Sequence, residues 1–248
     1  MSKLFDLTGL TVFITGASSG IGRAIAMEAA AAGARMVLSG RDPDRLRETE
    51  QMLPGTGHSS VPADLADIAQ LKALPAKIPA IDGFVNSAGF NVLRPLKYID
   101  ENYLERIHAV NYKAPVLLTN ELVKHKKLRP GGAVVYISSI GGLIATPGNA
   151  AYGAAKAALA ASSRIFSIEL AKQAIRVNCV SPGMVRTPGA DEMLKNLSPE
   201  LKAADEALYP LGYGEVGDVA AAAIYLLSPG ARWVTGTNMV LDGGYTAK

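Results

Sequence analysis

The stretch that most constrains the fold runs from Thr11 to Ile25, TVFITGASSGIGRAI. Thr11 to Thr15 is β-branched and aromatic, as a buried strand requires, and the alanine-rich segment from Arg23 to Ala32 favours a helix. Gly16, Gly20 and Gly22 occupy the turn between them. Glycine lets such a turn bend sharply, admits a ligand against bare backbone amides and allows close helix–strand packing. Unpaired N–H groups at the helix start attract anions, so a pyrophosphate is the natural guest of Gly16, Ser18, Ser19, Gly20, Ile21 and Gly22. The same glycines would also suit a structural corner without a ligand.

The alternation begun there continues along the chain. Strands are expected at Arg35 to Ser39, His58 to Val61, Ile81 to Asn86, Ala133 to Ser138, Arg176 to Ser181 and Asn238 to Leu241. Between them, Asp42 as N-cap with Pro43 behind it opens one helix, and either Asp64 or Asp67 caps a short one running towards Pro75. Leu104, Ile107, Val110, Leu117, Leu118 and Leu122 mark one long helix from about Asp100 to Lys127, and a last helix spans Val219 to Leu227. No linker or repeat interrupts the 248 residues, so 1–248 is expected to be a single α/β domain. From Pro188 to about Pro210, Met193, Leu194, Leu197, Leu201 and Leu208 mix with charges. That pattern suits a mobile substrate lid, here placed at 188–210, and equally an ordinary surface helix.

Charge excludes some classes of partner. A net charge of +3, scattered over 25 basic and 22 acidic residues, argues against a nucleic-acid surface. Lys124, Lys126, Lys127 and Arg129 form the one local basic cluster, read either as a solvated helix end or as a docking patch for an acidic carrier protein. The single cysteine, Cys179, permits no internal disulfide, is read as core packing, and fits a reducing, cytoplasmic setting. Met1 to Asp6 lacks the apolar core of a secretory signal. Gly131 to Ala155 carries no charge, but Ser138-Ser139, Gly141-Gly142 and Thr146 to Asn149 interrupt it, so a strand, loop and helix start are expected there rather than a membrane span. No metal site is expected.

Chemistry is concentrated in one region. The strand ending at Ser138 delivers Ser139 to its carboxyl end, where open α/β sheets hold their ligands. Thirteen residues on, Tyr152-Gly-Ala-Ala-Lys156 opens a helix and stacks a phenol and an ammonium one turn apart, both leaning towards the helix N-terminus. A Y-x-x-x-K alone is common. The ordered set is not: Thr15-Gly16-x-x-x-Gly20-x-Gly22, then Asn86-Ser87-Ala88-Gly89, Asn111, Ser139, Tyr152 and Lys156.

That set resembles the short-chain dehydrogenase/reductase family, in its compact single-domain branch, over essentially Leu7 to Gly244. Within it, the chain is similar to 3-oxoacyl-acyl-carrier-protein reductases. The resemblance implies a doubly wound Rossmann fold of seven mainly parallel strands in the order 3-2-1-4-5-6-7, with helices on both faces. It implies that Asp64 and Leu65 meet the adenine, and that Asn86, Ala88 and Gly89 leave room for the cofactor while Asn86 ties neighbouring strands together. Ser87 stands where the family usually has a second asparagine. Pro182, Gly183, Val185 and Thr187 match its loop beside the nicotinamide carboxamide. Asn111, in a helix that the family kinks, would complete a water-linked proton route from Lys156, or else serve as a structural asparagine with its amide satisfied. The family commonly forms homotetramers through its long helices; Ala157, Ala158, Ala160 and Ala161 would allow close packing between or within subunits.

Cofactor choice is read at the end of the second strand. An acid there would bind a free ribose 2′-hydroxyl and repel a 2′-phosphate; this chain has Gly40 followed by Arg41, so NADP(H) is favoured over NAD(H). Arg41 could instead lie on the surface near Asp44.

The implied reaction interconverts a carbonyl and a secondary alcohol. Tyr152 would move the proton, Ser139 would donate to the same oxygen, and Lys156 would lower the phenol's pKa and hold the nicotinamide ribose. Bringing a phenol from about 10 to neutrality requires about 4 kcal/mol, which Lys156 would supply in part. A 3-oxoacyl thioester, possibly carrier-bound, is the leading substrate, with a sugar, polyol or other small ketone as the alternative. A non-catalytic nicotinamide sensor would not need the Ser139, Tyr152 and Lys156 set, and a sugar-nucleotide epimerase would show another glycine spacing and a larger C-terminal region.

Overall fold

A computed structural model describes residues 3–195 and 198–247. Met1, Ser2 and Lys248 lie outside them, as does Leu197 of the expected lid. Strands β1 (Thr11–Thr15), β2 (Arg35–Ser39), β3 (Ser59–Ser60), β4 (Ile81–Asn86), β5 (Leu128–Ile137), β6 (Arg176–Pro182) and β7 (Asn238–Leu241) form one sheet in the order β3-β2-β1-β4-β5-β6-β7. Every adjacent pair is parallel. The third strand is shorter than its pattern suggests, and β5 starts earlier, across a register shift opposite Ile81 and Gly83.

Nearly continuous apolar strands are what a sheet covered on both faces demands. Alternate residues divide between two cores. Val12, Ile14, Met36, Leu38, Val135 and Val180 face α1 (Gly20–Ala31) and the later helix over Val216–Leu227, while Phe13, Val37, Phe84, Val134, Tyr136 and Cys179 face the opposite layer. That layer includes α3 (Ile68–Lys77), reached after α2 (Pro43–Met52), then α4 (Glu101–His108), α5 (Ala114–Lys124) and α6 (Ala150–Glu169). Cys179 is fully buried and donates to Ser163 Oγ, in agreement with its reading as core.

Caps settle one sequence alternative and agree with one expectation. Asp67, not Asp64, caps α3, accepting from the amides of Ala69 and Gln70, which leaves Asp64 for other contacts. Asp42 caps α2 through the amides of Asp44 and Arg45, with Pro43 at the first helical position. The expected single helix from Asp100 to Lys127 is instead α4 and α5 joined by a π-helical turn over Ala109–Lys113, with Asn111 buried at its centre. Helical periodicity cannot register such a turn, because one inserted residue widens a single turn without ending the apolar stripe. Beyond β6 lie α7 (Pro188–Lys195), α8 (Pro199–Glu206) and α9 (Val216–Leu227). Leu194 is buried against Tyr209 and Tyr213, whereas Met193, Leu201 and Leu208 are exposed.

Candidate active site

The carboxyl ends of the strands border a cavity of about 750 Å³. At its base, the β1–α1 turn is closed too tightly for side chains: a Cβ on Gly16 would lie 2.7 Å from the amide nitrogen of Ala88, and one on Gly22 would lie 2.2 Å from the carbonyl oxygen of Gly16. Ser19, the N-cap of α1, makes no side-chain cap. The first amides of α1 therefore remain available to an anion. Arg23 holds the turn from behind, donating to the carbonyl of Ser18 at 2.7 Å and to Thr49 Oγ at 2.9 Å. Thr49 in turn donates to the carbonyl of Ala17. The cradle is thus built for a pyrophosphate, and the residues present fit a dinucleotide.

The tightness yields a stability prediction. Gly22→Ala forces backbone against backbone and should destabilise by roughly 3 kcal/mol. Gly217→Ala, where a Cβ would meet nothing beyond the backbone of its own helix, should cost nothing. Urea denaturation of both variants distinguishes packing at the cradle from a general intolerance of alanine.

Most of the sequence-derived site residues line this one cavity: Gly16, Ser18, Ser19, Gly20, Ile21 and Gly22 from the turn, then Arg41, Asp64, Leu65, Ala88, Gly89, Ser139, Tyr152, Lys156, Pro182, Gly183 and Thr187. Asn86, Val185 and Asn111 do not. Asn86 is fully buried and accepts from Thr15 Oγ at 3.1 Å, a tie between β4 and β1; Val185 packs in the core and bridges to Gly214; Asn111 lies behind the wall. Their short polar or apolar side chains serve the cavity from the second layer.

Arg45 was missed by the sequence reading and lines the cavity beside Arg41. A cation in the first turn of a helix opposes the helix dipole, and that local oddity was the available signal. The acids near Arg41 are engaged elsewhere: Asp42 caps α2 and Asp44 pairs with Arg47 at 3.3 Å. Phe90, Asn91, Glu105 and Arg106 also line the cavity without having been singled out, and Ser87, the departure from the family pattern, lines it as well.

At the far end the catalytic candidates converge. Ser139 Oγ accepts the amide of Gly141 at 3.0 Å, which occupies a lone pair and leaves its proton free to donate. Ser138 donates to the Lys156 carbonyl and locks this loop onto α6. Lys156 is only 3% exposed, and its ammonium donates to the carbonyl of Ile137 at 2.9 Å and lies 5.6 Å from the centre of the Tyr152 ring. Asn111 donates to the carbonyls of Phe90 and Ile107, while its Oδ1 has no partner among the described residues. A Cβ on Gly89 would stand 2.7 Å from that oxygen and 3.4 Å from Lys156 Nζ, so both groups border the same small space.

Electrostatics depart from the expectation that Lys156 lowers the phenol's pKa. Burial raises Tyr152 above its ordinary value, with only hydrogen bonding from Ser139 opposing the rise. Burial also brings Lys156 down to about 8, slightly countered by Cys179. Desolvation exceeds charge–charge attraction here because the ammonium is turned onto a backbone carbonyl. The arrangement holds a protonated phenol beside a hydroxyl donor, which suits proton delivery to a carbonyl oxygen.

The basic cluster lies elsewhere. Lys124 and Arg129 flank the amino end of β5, roughly 30 Å along the strand from Ser139. Lys124 pairs with Glu121, Arg129 with Asp82, and Lys127 donates to the carbonyl of Ile78. Three of its four cations are thus engaged by their own chain, as the reading of a solvated helix end expects. Among the described residues, no helix is long and apolar enough to cross a membrane.

Comparison with known proteins agrees with this architecture. The family model described as enoyl-(acyl carrier protein) reductase matches residues 16–246. The chain is 35% identical to 3beta-hydroxysteroid dehydrogenase 1 of Eggerthella lenta, over 97% of this chain and 95% of that protein. It is 33% identical to a 3-oxoacyl-acyl-carrier-protein reductase of Rickettsia felis, over 97% and 98%. Among solved structures, a dehydrogenase/reductase from Sinorhizobium meliloti 1021 superposes with a TM-score of 0.90 at 29% identity, covering 98% of both chains. A short-chain type dehydrogenase/reductase from Mycobacterium ulcerans gives 0.90 at 28% identity, over 98% and 92%. Agreement of this extent, in sequence and in three dimensions, makes the chain a member of the short-chain dehydrogenase/reductase family of oxidoreductases.

Proposed function

We propose that the protein is an NADP(H)-dependent oxidoreductase that interconverts a ketone and a secondary alcohol, with a 3-oxoacyl thioester as the leading substrate. The observation that carries this reading is the convergence of Ser139, Tyr152 and Lys156 at one end of a cavity whose other end holds the glycine cradle. A regulatory sensor has no use for a protonated phenol at that place. When bound, the nicotinamide supplies or accepts the hydride. The glycine turn would hold its pyrophosphate, Asp64 and Leu65 its adenine, and Gly89, Pro182, Gly183 and Thr187 the nicotinamide half.

In the reducing direction Tyr152 gives its proton to the carbonyl oxygen while Ser139 donates a second hydrogen bond. Both interactions strengthen as the oxygen becomes an alkoxide, so they favour the transition state. Lys156, with the unpartnered Oδ1 of Asn111 near it, is the next group in the proton route. Residues 188–210 act as the substrate lid, with Pro188 and Gly189 already at the cavity wall. A homotetramer is supported by Ile165 and Ile168, which are 59% and 74% exposed along α6.

A second substrate reading, an apolar ring ketone, is favoured by the hydroxysteroid dehydrogenase relative and by exposed Val92, Leu93 and Leu143 near the site. NADPH oxidation against acetoacetyl thioester and cyclic ketones tests the activity; no turnover of any ketone with either nicotinamide would sink it. For the cofactor, Arg41→Ala should reduce the NADPH over NADH preference in kcat/KM by about 10- to 100-fold, and removing Arg45 as well should deepen the loss. An unchanged preference in the double variant would take the 2′-phosphate away from these arginines.

A further inference from the structure

Asn149 is the N-cap of α6, three residues before Tyr152, yet its side chain makes no cap. Asparagine at that position ordinarily accepts from the helix's first amides. Here Oδ1 accepts instead from Asn91 Nδ2 at 3.0 Å, across the cavity wall. Asn149 is 9% exposed, whereas Asn91 is exposed and lines the cavity.

The loop carrying Asn91 is pinned on both sides. The carbonyl of Phe90 accepts from Asn111, the carbonyl of Val92 accepts from the Tyr103 hydroxyl at 2.7 Å, and the amide of Arg94 donates to the carbonyl of Gly148 at 2.8 Å. A surface loop fixed at alternate residues, with one polar side chain oriented from behind, is a preorganised contact. It lies on the Ser139 side of the site: a Cβ on Gly141 would sit 2.8 Å from Asn149 Nδ2 and 3.4 Å from Ser139 Oγ. The neighbouring rim residues Val92, Leu93 and Leu143 are apolar and offer no competing polar contact.

We infer that Asn91 is a specificity-determining residue that hydrogen-bonds a second polar group of the substrate, next to the reacting carbonyl, and that Asn149 is its positioning residue. The inference rests on the ketone–alcohol reading above and narrows it to functionalised ketones such as 3-oxoacyl thioesters. With one N–H engaged by Asn149, Asn91 keeps a second N–H and its oxygen for the ligand. An amide held in this way favours a 1,3-dicarbonyl over a ketone with one oxygen, because only the former brings it a second acceptor in place of water.

The test compares kcat/KM for S-acetoacetyl-N-acetylcysteamine and for 2-pentanone. In Asn91→Leu the ratio should fall about tenfold. In Asn149→Ser, where serine can cap α6 but does not reach Asn91, it should fall part of the way; thermal melting confirms that both variants are folded. An unchanged ratio in Asn91→Leu overturns the contact, and an unchanged ratio in Asn149→Ser alone overturns the positioning role. If the wild-type protein oxidises a nicotinamide with neither of these two ketones, the contact to a 1,3-dicarbonyl falls, while the ketone–alcohol reading is decided by the wider ketone panel above.

Discussion

Tyr152→Phe is expected to lower kcat by a thousandfold or more while leaving the cofactor dissociation constant nearly unchanged. The substitution removes one oxygen and no packing, so the lost rate reports proton transfer rather than folding. Ser139 remains in place, its lone pair held by the Gly141 amide, and can stabilise the developing charge but cannot replace the donor. Burial, by raising the phenol, keeps it protonated throughout the neutral range. Ketone reduction therefore starts from the correct protonation state, whereas alcohol oxidation gains as pH rises. Stopped-flow turnover and fluorescence titration with NADPH measure the two quantities separately; an active variant would displace Tyr152 from the role.

Lys156→Met is expected to abolish turnover and yet stabilise the folded protein by on the order of 2–3 kcal/mol at pH 7. The ammonium is buried, with its pKa down to about 8 against 10.5 when exposed. Between those values the unfolded chain binds more protons than the folded one, so wild-type stability rises as pH increases from about 8 to 10.5. Below about 8 the full cost of a buried charge is present, and methionine removes it. Loss of the hydrogen bond to Ile137 offsets part of the gain. Urea midpoints measured from pH 7 to 10 should therefore converge as pH rises. A variant less stable than wild type at every pH would show that the hydrogen bond outweighs the desolvation. A stabilised, inactive variant would mark Lys156 as a residue kept for function at the expense of the fold.

Much of the scaffold was legible in short windows. The run from Thr11 to Thr15, the segment from Arg35 to Ser39 and the last strand from Asn238 to Leu241 have their predicted limits, because β-branched content and flanking turn residues act within a few positions. The grouping of the candidate catalytic residues was legible for a different reason. Tyr152 and Lys156 share a helix, and Ser139 lies two residues past the end of β5, so their meeting needs only one local crossover.

What could not be read depended on contacts between distant segments. Either Asp64 or Asp67 could cap α3 until the backbone selected Asp67. Arg45 joined Arg41 only through the direction in which α2 leaves the sheet, and the Asn91 to Asn149 bond spans 58 residues. The pKa of Tyr152 also resisted sequence reasoning, since one helical turn suggests proximity to a cation but says nothing of desolvation or of where the ammonium points.

By itself, then, the amino-acid sequence determined the alternation of strands and helices, the glycine cradle and the candidate groups for chemistry, all governed by neighbours along the chain. Tertiary structure alone decided which of those groups face one cavity, how strongly burial shifts their protonation, and which amides stand ready beside them. Burial and long-range hydrogen bonds are properties of the folded surface, and they come into being only when segments far apart in the chain are packed together.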